Sequence, residues 1–132
     1  MALNTPYRIY RDIDLAFTLN PLTHDISKKL DVNAVKQSLR TLIFTQYYER
    51  PFQPDLGSPI YELLFEPIDP ITTEAIRMSI ENLIQNHEPR VILNQLDVVP
   101  SADENEYQIS IFFTVVGIPL PVTFTTVLQR LR

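Results

Sequence analysis

The sequence predicts an α+β fold in a single domain spanning residues 1–132: about three helices, then an antiparallel sheet of three to four strands. Two observations carry this. Between Val32 and His87 the apolar residues recur at helical spacing, and after Pro89 the spacing changes to alternation. Helices grouped before strands argue for an α+β layer rather than a parallel, alternating α/β fold.

The first 31 residues are weakly patterned. Leu15 to Leu19 alternates and reads as a short strand stopped by Asn20-Pro21, and Thr23 to Lys29 reads as an exposed polar connection. A helix follows from about Val32 to Gln46, with Val35, Leu39, Leu42, Ile43 and Gln46 on one stripe and Asp31 as N-cap. Its β-branched Thr41, Ile43 and Thr45 lower intrinsic propensity, so packing must hold it. Ser58-Pro59 opens a short second helix, Ser58 as N-cap and Pro59 at the first helical position, burying Ile60, Leu63 and Leu64. A third helix, about Ile71 to His87, starts near Asp69-Pro70 or Thr72, and Pro89 stops it. Ile76, Ile80, Leu83, Ile84 and His87 form its stripe.

The strands are expected at about 91–99, with Ile92, Leu96 and Val98 pointing one way, then through Tyr107, Ile109, Ile111, Phe113 and Val115 on one face, and last from Val122 to Leu131. Five-residue turns, Ser101 to Asn105 and Gly117 to Pro121, would join them as a meander.

Composition excludes several kinds of chemistry. There is no cysteine, so disulfide scaffolds, thiolate metal sites and cysteine nucleophiles are out. A net charge of −5 argues against nucleic-acid binding, which needs a basic surface. No apolar run reaches membrane-spanning length, and Met1 to Thr5 lacks the basic-then-apolar start of a secretory signal, so a soluble protein made in a cytoplasm is expected. Two well-separated glycines rule out a glycine-rich phosphate loop. His24 and His87 have no second histidine one turn away, so no metal site and no cofactor is expected. Glu62 and Glu66, one turn apart, could meet the carboxylate spacing of a glycosidase, but any acidic helix offers such pairs on a solvated face.

Two segments stand out. Glu49 to Gly57 is a long irregular loop fixed by Pro51 and Pro54 and closed by Gly57; it reads either as a rigid connector or as a functional loop. Glu88-Pro89-Arg90 places an acid where it opposes the helix dipole, a fixed exit, and a guanidinium at the helix-to-strand joint. It reads equally as a local ion pair at a proline stop or as a charged knuckle that docks a partner.

The ordered set Arg50-Pro51-Phe52-Gln53-Pro54-Asp55-Leu56-Gly57, Leu63-Leu64-Phe65-Glu66-Pro67 and Glu88-Pro89-Arg90-Val91 resembles the small baseplate wedge proteins of contractile phage tails. This is the sheath-initiator family of T-even-type phages, with relatives in type VI secretion baseplates. The resemblance covers about residues 8 to 131.

It implies a non-enzymatic structural subunit of the tail baseplate in the virion, assembled in the host bacterial cytoplasm. Its partners would be other baseplate wedge proteins, whose core bundle it clamps, the tail sheath protein, and tube or hub proteins, with no nucleic acid and no membrane. Glu88, Pro89 and Arg90 would meet the core bundle. Arg50, Pro51, Phe52, Pro54 and Gly57 would form an interface loop. Val122, Phe124, Thr126 and Leu128 would mark a sheet edge open to strand addition by sheath subunits. Six-fold tail symmetry implies ring contacts, and the isolated chain is expected to be monomeric or weakly associated. The alternatives are a peptidoglycan-degrading, lysozyme-like tail enzyme and a type VI baseplate subunit. If Arg90 is a surface knuckle, its replacement by alanine should leave stability unchanged.

Overall fold

The computed structural model describes residues 11–13, 15, 21–22 and 28–130. A two-stranded antiparallel ribbon, β1 (Arg11–Ile13) and β2 (Lys28–Leu30), leads directly into helix α1 (Asp31–Phe44). The proposed strand at Leu15 to Leu19 lies outside the described residues except for Leu15, which sits in a turn. Lys28–Leu30 is strand and not open connection: too short to show alternation, it is held by pairing with β1.

α1 ends two residues before the expected Gln46. Thr41 and Thr45 each turn their hydroxyls onto a carbonyl one turn back, at 2.9 and 2.6 Å, and the chain then leaves the helix to begin the long loop. The second helix, α2 (Ile60–Leu63), is a single turn. Ser58 is not its N-cap. Pro59 holds the cap position, while the Ser58 amide donates to the Thr45 carbonyl and Ser58 pairs with Gln46 in an isolated parallel bridge. Closing the loop has taken precedence over capping the helix.

α3 (Pro70–His87) begins as a well-capped helix. The Asp69 carboxylate accepts from the Thr72 amide at 2.6 Å, and that bond holds the Asp69 carboxyl below its ordinary range. Pro70 occupies a first-turn position where no amide is needed. Ile76, Ile80, Leu83 and Ile84 are buried, as their spacing predicts, and His87 is half-buried.

The meander of β3 (Val91–Ser101), β4 (Glu106–Val115) and β5 (Ile118–Gln129) forms one sheet in that order. The central strand buries Tyr107, Ile109, Ile111, Phe113 and Val115 on its helix-facing side. α3 packs along β3, and α1 reaches α3 and β5, so the core lies between the helices and one sheet face.

Three strand expectations need correction. Ile92 does not share a face with Leu96 and Val98: it is 55% exposed, because a bulge at Asn94 puts an extra residue between Leu93 and Gln95 and reverses the alternation. The first turn is Ala102 to Asn105, since Ser101 already pairs with Glu106. The second is only Val116-Gly117, with Gly117 at φ +88°, so β5 starts at Ile118 and ends at Gln129. Pro119 and Pro121 do not end this strand, because it is paired on one side only and an edge strand tolerates missing amides.

Candidate docking surface

The helix-to-strand joint is tighter than a surface knuckle. Glu88 is the C-cap of α3, and its amide donates to Ile84 O. Its side chain is only 3% exposed. Arg90 reaches back and clasps it in a fork, Nε to Oε1 at 2.7 Å and Nη2 to Oε2 at 2.9 Å. Ser38, on α1, donates its hydroxyl to the same Oε2 at 2.6 Å. Burial pushes the Glu88 carboxyl up, but the hydrogen bonds from Arg90 and Ser38 outweigh it, leaving the group below its ordinary range. Arg90 is therefore an internal strut, 22% exposed, and not a solvated guanidinium. Pro89 is exposed at the crest of the joint.

Ser38 is the member of this cluster that sequence reasoning missed. A serine in mid-helix carries no distinguishing signal, and only the approach of α1 to the end of α3 gives it a role.

The loop from Gln46 to Ser58 is built as firmly as the joint. Its neck is closed by the Ser58 amide on Thr45 O at 3.1 Å and by the Tyr48 amide on Pro54 O at 3.0 Å. The Glu49 carboxylate accepts the Gln46 amide at 2.9 Å. Inside, the Gln53 amide bonds Arg50 O and the Leu56 amide bonds Gln53 O. Gly57 is buried at φ +140°, where a Cβ would lie 2.6 Å from the Gln46 carbonyl carbon, so only glycine lets the two limbs meet. Tyr48 holds φ +63°, uncommon for an aromatic residue. Phe52, by contrast, is 97% exposed, and Arg50, Pro51 and Pro54 are exposed with it.

A groove of about 570 Å³ opens between the loop and α1, with Ile13 and Leu15 on its border. Ser38 and Thr41 of α1, Arg50 and Leu56 of the loop, and His87 at the end of α3 line it. Glu88, Pro89 and Arg90 do not line it themselves; His87, just before the joint, and Ser38, which bonds Glu88, do.

The third set, Val122, Phe124, Thr126 and Leu128, lies elsewhere, on β5. These side chains face the helices: Leu128 is buried and the other three half-buried. Among the described residues β5 pairs with β4 alone, so its backbone and not these side chains forms the free border. A second cavity, about 310 Å³, opens beside its end among Phe44, Tyr61, Leu64 and Leu128.

The family described as Baseplate wedge protein gp25 matches residues 30–119, more than half of the chain and including both the loop and the joint. The chain belongs to this family. The Baseplate wedge protein gp25 of Enterobacteria phage T4 is 31% identical over 112 residues, covering 85% of this chain and 84% of that protein. Among solved structures, the baseplate of the anti-feeding prophage contains a chain that is 25% identical with a TM-score of 0.65, covering 94% of this chain and 88% of that one. A structure described as a putative tail lysozyme from Geobacter sulfurreducens superposes with a TM-score of 0.69 at 23% identity, covering 74% of this chain and 89% of that one. At that identity the likeness speaks for the fold.

Membership makes the chain a baseplate wedge protein, a component of a phage tail baseplate. Glu62 and Glu66 are both exposed on and just after the one-turn α2, and neither lines the cavities described above. Among the described residues no cluster of His, Asp and Glu has metal-binding geometry, and no helix is long and apolar enough to cross a membrane. His24 lies outside the described residues.

Proposed function

We propose that this wedge protein is a non-enzymatic structural subunit that clamps the core bundle of other wedge proteins and gives the tail sheath its starting surface. The observation that carries the reading is β5: an edge strand of 12 residues, Ile118–Gln129, without a single charged side chain. Such an edge is a template for another strand and is ordinarily guarded by charge. Sheath arms would add to it, and the first ring would grow from there. The joint at Glu88, Pro89 and Arg90 takes the core bundle, presenting Pro89 and the outer side of Arg90 on a strut that does not need ordering on contact. The loop with Arg50, Pro51, Phe52, Pro54 and Gly57 contributes to the same interface. Tube or hub proteins would be neighbours in a six-fold ring in the virion, after assembly in the host cytoplasm, and the free chain would be monomeric or weakly associated.

The test is sheath assembly on purified wedges carrying Thr123→Lys and Thr125→Lys. Both positions are exposed, so the fold is spared while an added strand meets two charges. Wedge formation with the neighbouring wedge proteins should persist and sheath growth should fail. Normal sheath growth on the doubly substituted edge would refute strand addition at β5.

A further inference from the structure

We propose that Arg50 and Phe52 form a two-point anchor that grips a wedge partner presenting a carboxylate beside an apolar socket. The proposal rests on the wedge reading above and assigns the chemistry of the partner to the groove between the loop and α1.

Phe52 is the starting point. A phenyl ring that is 97% exposed gains nothing from folding, since the unfolded chain exposes it equally. Yet the loop that carries it is held by several backbone bonds, by two prolines, and by a glycine with no room for a Cβ. The exposed ring is therefore presented in a fixed position, and aromatic anchors on preorganised loops are what protein interfaces use most effectively.

Arg50 supplies the second point. It is exposed two residues away, and its guanidinium has no hydrogen bond or ion pair among the described residues. It lines the groove, while the loop's own carboxylates do not: Glu49 is spent on the Gln46 amide, and Asp55 is not among the lining residues. Among the described residues no carboxylate lines the groove, and nearby Glu88 is already neutralised by Arg90. In a chain of net charge −5 this leaves a local positive site bordered by Leu42 and Leu56. Its complement is an acidic side chain flanked by apolar ones. The planar five-donor fork of arginine suits a carboxylate, so the pairing also sets the partner's register.

The experiment is co-expression of the full chain with the wedge proteins encoded beside it, followed by size-exclusion chromatography. Wild type is compared with Phe52→Ser, Arg50→Glu and Arg50→Lys. Wild type should co-elute. Phe52→Ser and Arg50→Glu should reduce retained partner about tenfold or more while melting like wild type. Arg50→Lys should hold the partner at low salt and release it at a lower salt concentration than wild type. Undiminished co-elution of both Phe52→Ser and Arg50→Glu would overturn the anchor and leave the wedge reading standing. Failure of wild type itself to co-elute would overturn both.

Discussion

Replacing Arg90 by alanine should destabilise the folded chain by about 3 kcal/mol, because it strands a buried carboxylate. The change removes both arms of the fork, at 2.7 and 2.9 Å. Glu88, 3% exposed, keeps the Ser38 hydroxyl at 2.6 Å and a long contact from the Arg90 amide at 3.4 Å. Losing one partner of a fully buried pair costs roughly 3–5 kcal/mol, and the partial exposure of Arg90 puts this pair at the lower end. Against a total of about 5–15 kcal/mol for a domain, that is a large fraction. Urea unfolding followed by circular dichroism measures it. With a slope of about 1.5 kcal/mol/M, the midpoint should fall by about 2 M. Glu88→Gln keeps an acceptor for Ser38 and should cost less, and the double variant should be far from additive. A midpoint for Arg90→Ala within error of wild type would refute the strut and restore the solvated knuckle. The same number decides how docking is tested: Arg90→Ala confounds folding with binding, so Arg90→Lys, which keeps the charge and loses the fork, is the cleaner probe.

Acid should act through the same carboxylate. Glu88 sits below its ordinary value of 4.5 when folded, so its stabilisation is complete above that pH and is lost as pH falls through the lower folded value. Asp69, held down by the Thr72 amide, works in the same direction. Unfolding midpoints measured from pH 6 downward should therefore decline for wild type and decline less steeply for Glu88→Gln; equal slopes would remove Glu88 from the account. The bulge makes a separate prediction: Ile92→Ala should stay within about 0.5 kcal/mol of wild type, whereas Leu96→Ala should cost about 2–5 kcal/mol. Comparable losses at the two positions in thermal unfolding would mean that Ile92 also faces the core.

What could be read from the residues followed from periodicity. The stripe on α3 and the alternation on β4 are long and unbroken, and both are buried as the spacing requires. Reading failed where one local decision depended on a distant partner. Asn94 looks like any polar strand residue, and nothing local shows that it bulges and turns Ile92 outward. Ser58-Pro59 has a good capping sequence, but the contact with Thr45 and Gln46 claims the serine. Pro119 and Pro121 look like turn residues until the strand is known to lie at an edge. The loop and the joint were legible as segments. The groove beside the loop was not, because Ser38, His87 and Leu56 come together only through the packing of α1 on α3.

The two borders of the sheet differ in a way that limits what an added strand would do. β3 is broken by the bulge at Asn94, carries Asp97, and includes Pro100, all features that discourage pairing. β5 has neither bulge nor charge along Val122–Gln129, and its two prolines stand together near its start, at 119 and 121. An incoming strand would lose amide partners beside those prolines and find an uninterrupted backbone only from Val122 onward. At ~3.4 Å per residue that is a border of about 27 Å. Its far end lies beside the cavity among Phe44, Tyr61, Leu64 and Leu128. Since successive side chains alternate faces, every second residue of an added strand would turn toward the helices, and one near Leu128 would meet that cavity. The strand most favoured there is short, uncharged and apolar at alternate positions, which is the same pattern that β5 itself carries in Val122, Phe124, Thr126 and Leu128.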